Sequence, residues 1–271
     1  TVRFEETPYN FDMGRLFPKV VQDLLDCQDK TGAITCTAPY VYGNRPADPV
    51  CSSFLVAVWE SFLYYGDKEL LERAYEGLKA WEERLSALAE EHIVSVSYYG
   101  DWAGPVFACR EGDRSLDAVQ SRWVPGAFMS TGYYYFNALL LERFAGYLGR
   151  PEDAKYYGQL RQEIRSAILK RWWDPERCAV AGGSQGCQSF ALWLGILPPE
   201  QRQPAADLLH GELERCGYRI ATGNLNTRYL LDALTQFGYV DDAYRILTTE
   251  EYPSIGYMLQ NGATTVWERF E

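Results

Sequence analysis

The chain has 271 residues, 47% hydrophobic and 23% charged, which excludes a disordered segment and leaves room for one large core. With 26 Lys+Arg against 37 Asp+Glu its net charge is −11, the opposite of what a phosphate backbone attracts, so no nucleic-acid partner is expected. Aromatics reach 15%, with 8 Trp and 20 Tyr; that excess suits a concave site for a flat or sugar-like ligand as well as a core.

In chain order, helices are expected over 11–27 and 52–65. From Asp67 to His92, Leu71, Tyr75, Leu78, Trp81, Leu85 and Leu88 form one apolar stripe with Glu and Arg opposite, the pattern of an amphipathic helix. Ile93 to Tyr98 alternates like a short strand, and a long loop is expected over 93–126. Helical spacing returns in Phe136, Leu139, Leu140, Phe144 and Tyr147, and again in Tyr157, Leu160, Ile164 and Ile168. Cys178 to Ala181 is a short extended run. Further helices are expected over 186–196, 199–216, 225–237 and 240–249, with loops at 29–50, 172–185 and 250–264. Two strand candidates cannot support a sheet-based fold.

The junctions repeat one design. At Gly66, Gly149 and Gly238 an aromatic-rich helix end meets a glycine and then an acidic helix start, as a left-handed C′ turn requires. Together with Leu194-Gly195 these mark hairpins of roughly 45 residues. The expected class is all-α, an (α/α)6 toroid of helical hairpins with its loops at one end, a single domain over 1–271 with room for it to be incomplete at both ends. A solenoid is the alternative. The absent initiating Met suggests a piece of something longer.

No apolar run reaches the length of a membrane span and the start carries no export signal, so a cytoplasmic protein without a membrane partner is expected. The seven cysteines (27, 36, 51, 109, 178, 187, 216) never form a CxxC pair and read as reduced thiols. With only His92 and His210, the chain has little material for a metal centre or a Ser-His-Asp triad; no metal and no cofactor are expected.

Two carboxylates stand out. Tyr98-Tyr99-Gly100-Asp101-Trp102 places an acid beside a Trp face after a glycine, suited to a sugar's hydroxyls and apolar face; a structural Asp cap beside a core Trp fits as well. Glu268, in Thr265-Val266-Trp267-Glu268-Arg269, lies in an apolar and hydroxylic stretch where a carboxylate needs a reason, either chemistry or neutralisation by Arg269. Trp102, Tyr257 and Trp267 flank the two acids.

Tyr252 to Arg269 resembles the signature of the bacterial α-L-rhamnosidases of glycoside hydrolase family 78. The resemblance extends through Tyr99-Gly100-Asp101-Trp102, Thr131-Gly132-Tyr133-Tyr134-Tyr135, Gln188, and Thr222-Gly223-Asn224-Leu225-Asn226-Thr227, nearly the whole chain. It implies an (α/α)6 barrel that hydrolyses terminal α-L-rhamnosides with inversion. Glu268 would be the general base, with Asp101, Trp102, Tyr257 and Trp267 as sugar-binding residues. Two departures accompany it. The family's acid Glu motif is absent, Glu5 and Glu6 not reproducing it. The family's Trp-Gly-Asp sugar-contact segment aligns with Val50-Cys51-Ser52, where a changed sugar site is expected to show. The alternatives are a catalytically impaired carbohydrate-binding toroid without its acid, and a helical scaffold that binds protein. Oligomeric state is left open.

Overall fold

A computed structural model describes residues 4–105, 121 and 123–270. Most of the loop expected over 93–126, with Cys109, lies outside the described residues. The described chain is all-α apart from two minimal antiparallel ladders, and it divides into two compact units.

The first unit, residues 1–97 and 130–167, contains α1 (Leu16–Asp26), α2 (Ser53–Tyr65), α3 (Lys68–Leu88) and parts of α4 (Gly126–Tyr147) and α5 (Pro151–Trp172). The stripe read from the sequence is its core: Leu71, Tyr75, Leu78, Trp81 and Leu85 are fully buried on α3, joined by Phe17, Phe54, Tyr133, Tyr134, Phe144, Tyr157 and Ile164. Burying such side chains is worth roughly 1.5–3 kcal/mol each. The strand expected over 93–98 is only β2 (Ile93–Val94), paired with β1 (Ala89–Glu90), a ladder that closes off α3.

Helix ends in this unit follow the expected chemistry. Gly66 takes φ +65° after α2, and the next residue, Asp67, accepts from the Leu70 amide at 2.9 Å to start α3. Gly149 takes φ +69° between α4 and α5, whose first turn carries Glu152 and Asp153. Asp153 then bonds the Tyr75 hydroxyl at 3.0 Å and Lys79 at 3.2 Å, tying α5 to α3.

The second unit, residues 98–129 and 168–271, contains α6 (Gln185–Leu194), α7 (Pro199–Arg215), α8 (Asn224–Gln236), α9 (Val240–Thr248) and α10 (Ile255–Gln260). Its ladder pairs β3 (Trp173–Asp174) with β4 (Ala179–Val180). Phe190 is the aromatic hub, edge-on to Phe128 and stacked on Tyr229. Gln188 is fully buried with its amide spent on backbone: it donates to the Cys178 and Ala205 carbonyls and accepts from the Val180 amide at 2.6 Å, so α6, α7 and β4 share one polar pin.

The all-thiol expectation is corrected at Cys216, which is disulfide-bonded, while Cys27, Cys36, Cys51, Cys178 and Cys187 are thiols. Pairing follows proximity in space, which scattered cysteine spacings do not encode. No described helix is long and apolar enough to cross a membrane.

Candidate active site

Asp101 and Trp102 lie in the second unit on a tight bend: Gly100 has φ +52° and Ala103 φ +56°. The bend turns the two neighbouring side chains to different surroundings. Asp101 is fully buried, and its two oxygens accept from the Gly223 amide at 2.8 Å and the Asn226 amide at 3.1 Å. Those amides open α8, whose N-cap residue, Gly223, has no side chain to cap it, so a carboxylate from a distant segment does the capping. Burial pushes the Asp101 carboxyl up to about 6, against the pull of the Gly223 and Asn226 amides.

Trp102 is half-buried, and its indole N–H donates to Oε1 of the exposed Glu268 at 2.9 Å. Tyr99 meets its ring edge-on at 4.9 Å and itself meets Tyr98 at 4.8 Å. The Arg269 guanidinium lies 5.8 Å from the Trp102 ring centroid. Glu268 has no ion pair among the described residues, so the reading in which Arg269 neutralises it does not describe this geometry: the guanidinium faces the indole instead.

The structure thus brings Trp102 and Glu268 together. Tyr257 lies on α10, half-buried, with its ring against Tyr252 at 5.2 Å, and Trp267 is half-buried beside Glu268 in the chain; neither shares a hydrogen bond or ring contact with the Trp102–Glu268 pair. Of the two readings open for Asp101, a sugar-facing acid or a structural cap, the geometry is that of the cap: the carboxylate points inward. The physical reason is local: the uncapped start of α8 supplies amide donors that a buried carboxylate needs. Gly223 and Asn226 join the site through Asp101, with no signal of their own in the sequence. Their segment, Thr222 to Thr227, carries the resemblance, but nothing in it announces a partner more than 120 positions away.

Val50 and Ser52, where the resemblance departs, are core residues of the first unit. Val50 is buried, and the Ser52 hydroxyl accepts from the Trp81 indole and from the Asn137 amide, both at 2.9 Å. Among the described residues no group of three or more His, Cys, Asp or Glu side chains could hold a metal ion.

Helical hairpins closed by left-handed glycines, with an exposed carboxylate hydrogen-bonded to a tryptophan indole, define an all-α hairpin protein. The chain belongs to the bacterial alpha-L-rhamnosidase six-hairpin glycosidase domain family, whose model matches residues 1–271. It therefore has the six-hairpin, all-α fold class expected of it. It is 31% identical to an alpha-L-rhamnosidase of Streptomyces avermitilis over 265 residues, 97% of this chain and 24% of that protein. It is 27% identical to one of Alteromonas sp. over 97% of this chain and 28% of that protein. Among solved structures, the alpha-L-rhamnosidase from Dictyoglumus thermophilum superposes with a TM-score of 0.92 at 35% identity, covering all of this chain and 30% of that one. The Streptomyces avermitilis enzyme complexed with L-rhamnose gives a TM-score of 0.82 at 30% identity, covering 96% of this chain and 24% of that one. The chain spans about a quarter of the length of the curated relatives it matches.

Proposed function

We propose that this chain is the catalytic domain of a glycoside hydrolase that cleaves terminal α-L-rhamnosides with inversion, Glu268 acting as the general base. The observation that carries the base assignment is the Trp102–Glu268 hydrogen bond. One oxygen of the carboxylate is fixed by a neutral donor and no cation among the described residues is paired with it, so its second oxygen is left to accept a proton from water. A carboxylate oriented in this way is what an inverting base requires, since it must activate water on one side of the ring while a second carboxyl, roughly 6.5–9.5 Å away, protonates the leaving group. That acid is assigned to no residue here. Trp102, Tyr257 and Trp267 are proposed to line the sugar site. The match of one domain model across residues 1–271 supports treating both compact units as one catalytic domain.

The test is release of L-rhamnose from an aryl α-L-rhamnoside by the intact protein. Glu268→Gln is expected to cut turnover by on the order of 10²–10⁴-fold. Retained turnover in that variant removes Glu268 from the base role. Calorimetric binding of rhamnose by wild type without any turnover favours the impaired, carbohydrate-binding alternative.

A further inference from the structure

We propose that Asp101 is a positioning residue: its buried carboxylate clamps the Asp101–Trp102 segment to the start of α8 and so fixes the indole that orients Glu268. This rests on the reading of Glu268 as the base.

The clamp has two layers. The side chain of Asp101 takes the Gly223 and Asn226 amides, while the main chain adds a bond from the Asn224 amide to the Trp102 carbonyl at 2.7 Å and one from the Ser121 amide to the Asp101 carbonyl at 2.8 Å. The segments lie so close that a Cβ at position 223 would sit 2.4 Å from the Trp102 carbonyl oxygen and 2.6 Å from that of Asp101. Gly223 has an ordinary φ of −80°, so space and not conformation requires glycine there. On another side Gly186 of α6 packs as tightly, since a Cβ there would meet Val124 at 2.6 Å, the Asn226 side chain at 2.8 Å and the Asp101 carboxylate at 3.2 Å.

With its backbone pinned on both sides, Trp102 keeps only its two side-chain torsions, and Tyr99 and Arg269 crowd its ring. The hydrogen bond to Glu268 is therefore held by the fold, although Glu268 itself is exposed. Two other roles for Asp101 fit less well. As a sugar ligand it would need an exposed oxygen, and it has no exposed surface. As the general acid it would need to reach a glycosidic oxygen, yet the groups facing it are the amides of Gly223, Leu225 and Asn226 and the Asn226 side chain.

The experiment follows the Trp102 indole N–H by NMR in intact protein labelled with ¹⁵N-tryptophan, the resonance being assigned by its loss in Trp102→Phe. In wild type its chemical shift is expected to be that of an indole hydrogen-bonded to Glu268, and Glu268→Ala is expected to move it to the unbonded position. In Asp101→Asn the resonance is expected to move toward that same unbonded position. On an aryl α-L-rhamnoside, kcat should fall on the order of 10- to 100-fold with KM little changed, because misplacement of a supporting group costs that much. Adding Trp102→Phe to Asp101→Asn should cause little further loss, the mark of two residues acting as one unit. Should Asp101→Asn fail to fold, Gly223→Ala presses on the same clamp from the other side and is expected to give the same readout.

A rise in KM at constant kcat would make Asp101 a sugar ligand and overturn the proposal. A lower melting temperature with the indole chemical shift and kcat both preserved would make it a purely local stabiliser, which also overturns it. If wild type shows no turnover while the indole behaves as expected, the rhamnosidase reading fails and the clamp stands.

Discussion

Two tryptophans donate their indole N–H across the same distance, 2.9 Å, and are put to opposite uses. Trp81, in the first unit, is fully buried and bonds the buried Ser52 hydroxyl, which also holds Asn137 and itself donates to the Pro49 carbonyl at 2.8 Å. Trp102, in the second unit, is half-buried and reaches an exposed carboxylate. Each tryptophan also has a buried acid as its chain neighbour. Glu82, beside Trp81, is bonded to no backbone amide among the described residues, and burial holds its carboxyl well above the usual range. Asp101, beside Trp102, is just as deeply buried, but the helix-end amides answer much of the cost and its carboxyl rises only to about 6. Burial of an acid next to a tryptophan therefore does not mark a site. What separates the two regions is whether the indole ends on a group that solvent and substrate can reach.

The largest effect that could break this comparison is on stability. Trp81→Ala empties a fully packed position and strands the Ser52 network, and should cost about 3–5 kcal/mol in urea unfolding. Trp102→Ala should cost well under half of that while still lowering turnover. Equal destabilisation by the two substitutions would erase the distinction.

A smaller effect concerns pH. Asp101 binds its proton more tightly folded, near 6, than at its ordinary value of 3.8. Its protonation thus favours the folded state fully below about pH 4, and this contribution, about 3 kcal/mol at most, is lost as pH rises through 6. Asp101→Asn should flatten the dependence of unfolding free energy on pH between 4 and 6. An unchanged slope would show that Asp101 is ionised throughout that range.

Much of the helical frame was legible in the sequence because it rests on local rules. Helices α6 to α9 fall within a residue or two of the expected 186–196, 199–216, 225–237 and 240–249, and Gly66, Gly149, Gly195 and Gly238 all take left-handed φ. Helix α4 begins ten residues before its visible stripe, since its first turns, from Phe128 to Tyr135, are buried nearly all round and so carry no periodic signal. The six-residue α10 fell in an expected loop, being too short to show a period. At the site, the sequence pointed to the residues without their orientations. Asp101 and Trp102 are adjacent in a motif that reads equally as a sugar-facing pair and as a structural cap beside a core Trp, and only the amides at 223 and 226 explain why one turns in and the other out. The bond from Trp102 to Glu268 spans 166 positions, a pairing that no local pattern encodes.

The role proposed for Glu268, delivering water to the anomeric carbon, is open to one decisive check, azide rescue of Glu268→Ala. Azide needs no deprotonation and fits the space the carboxylate leaves, so it should restore cleavage of an activated aryl α-L-rhamnoside and give a rhamnosyl azide of inverted anomeric configuration by NMR. Absence of rescue, or an azide product with retained configuration, would contradict the claim.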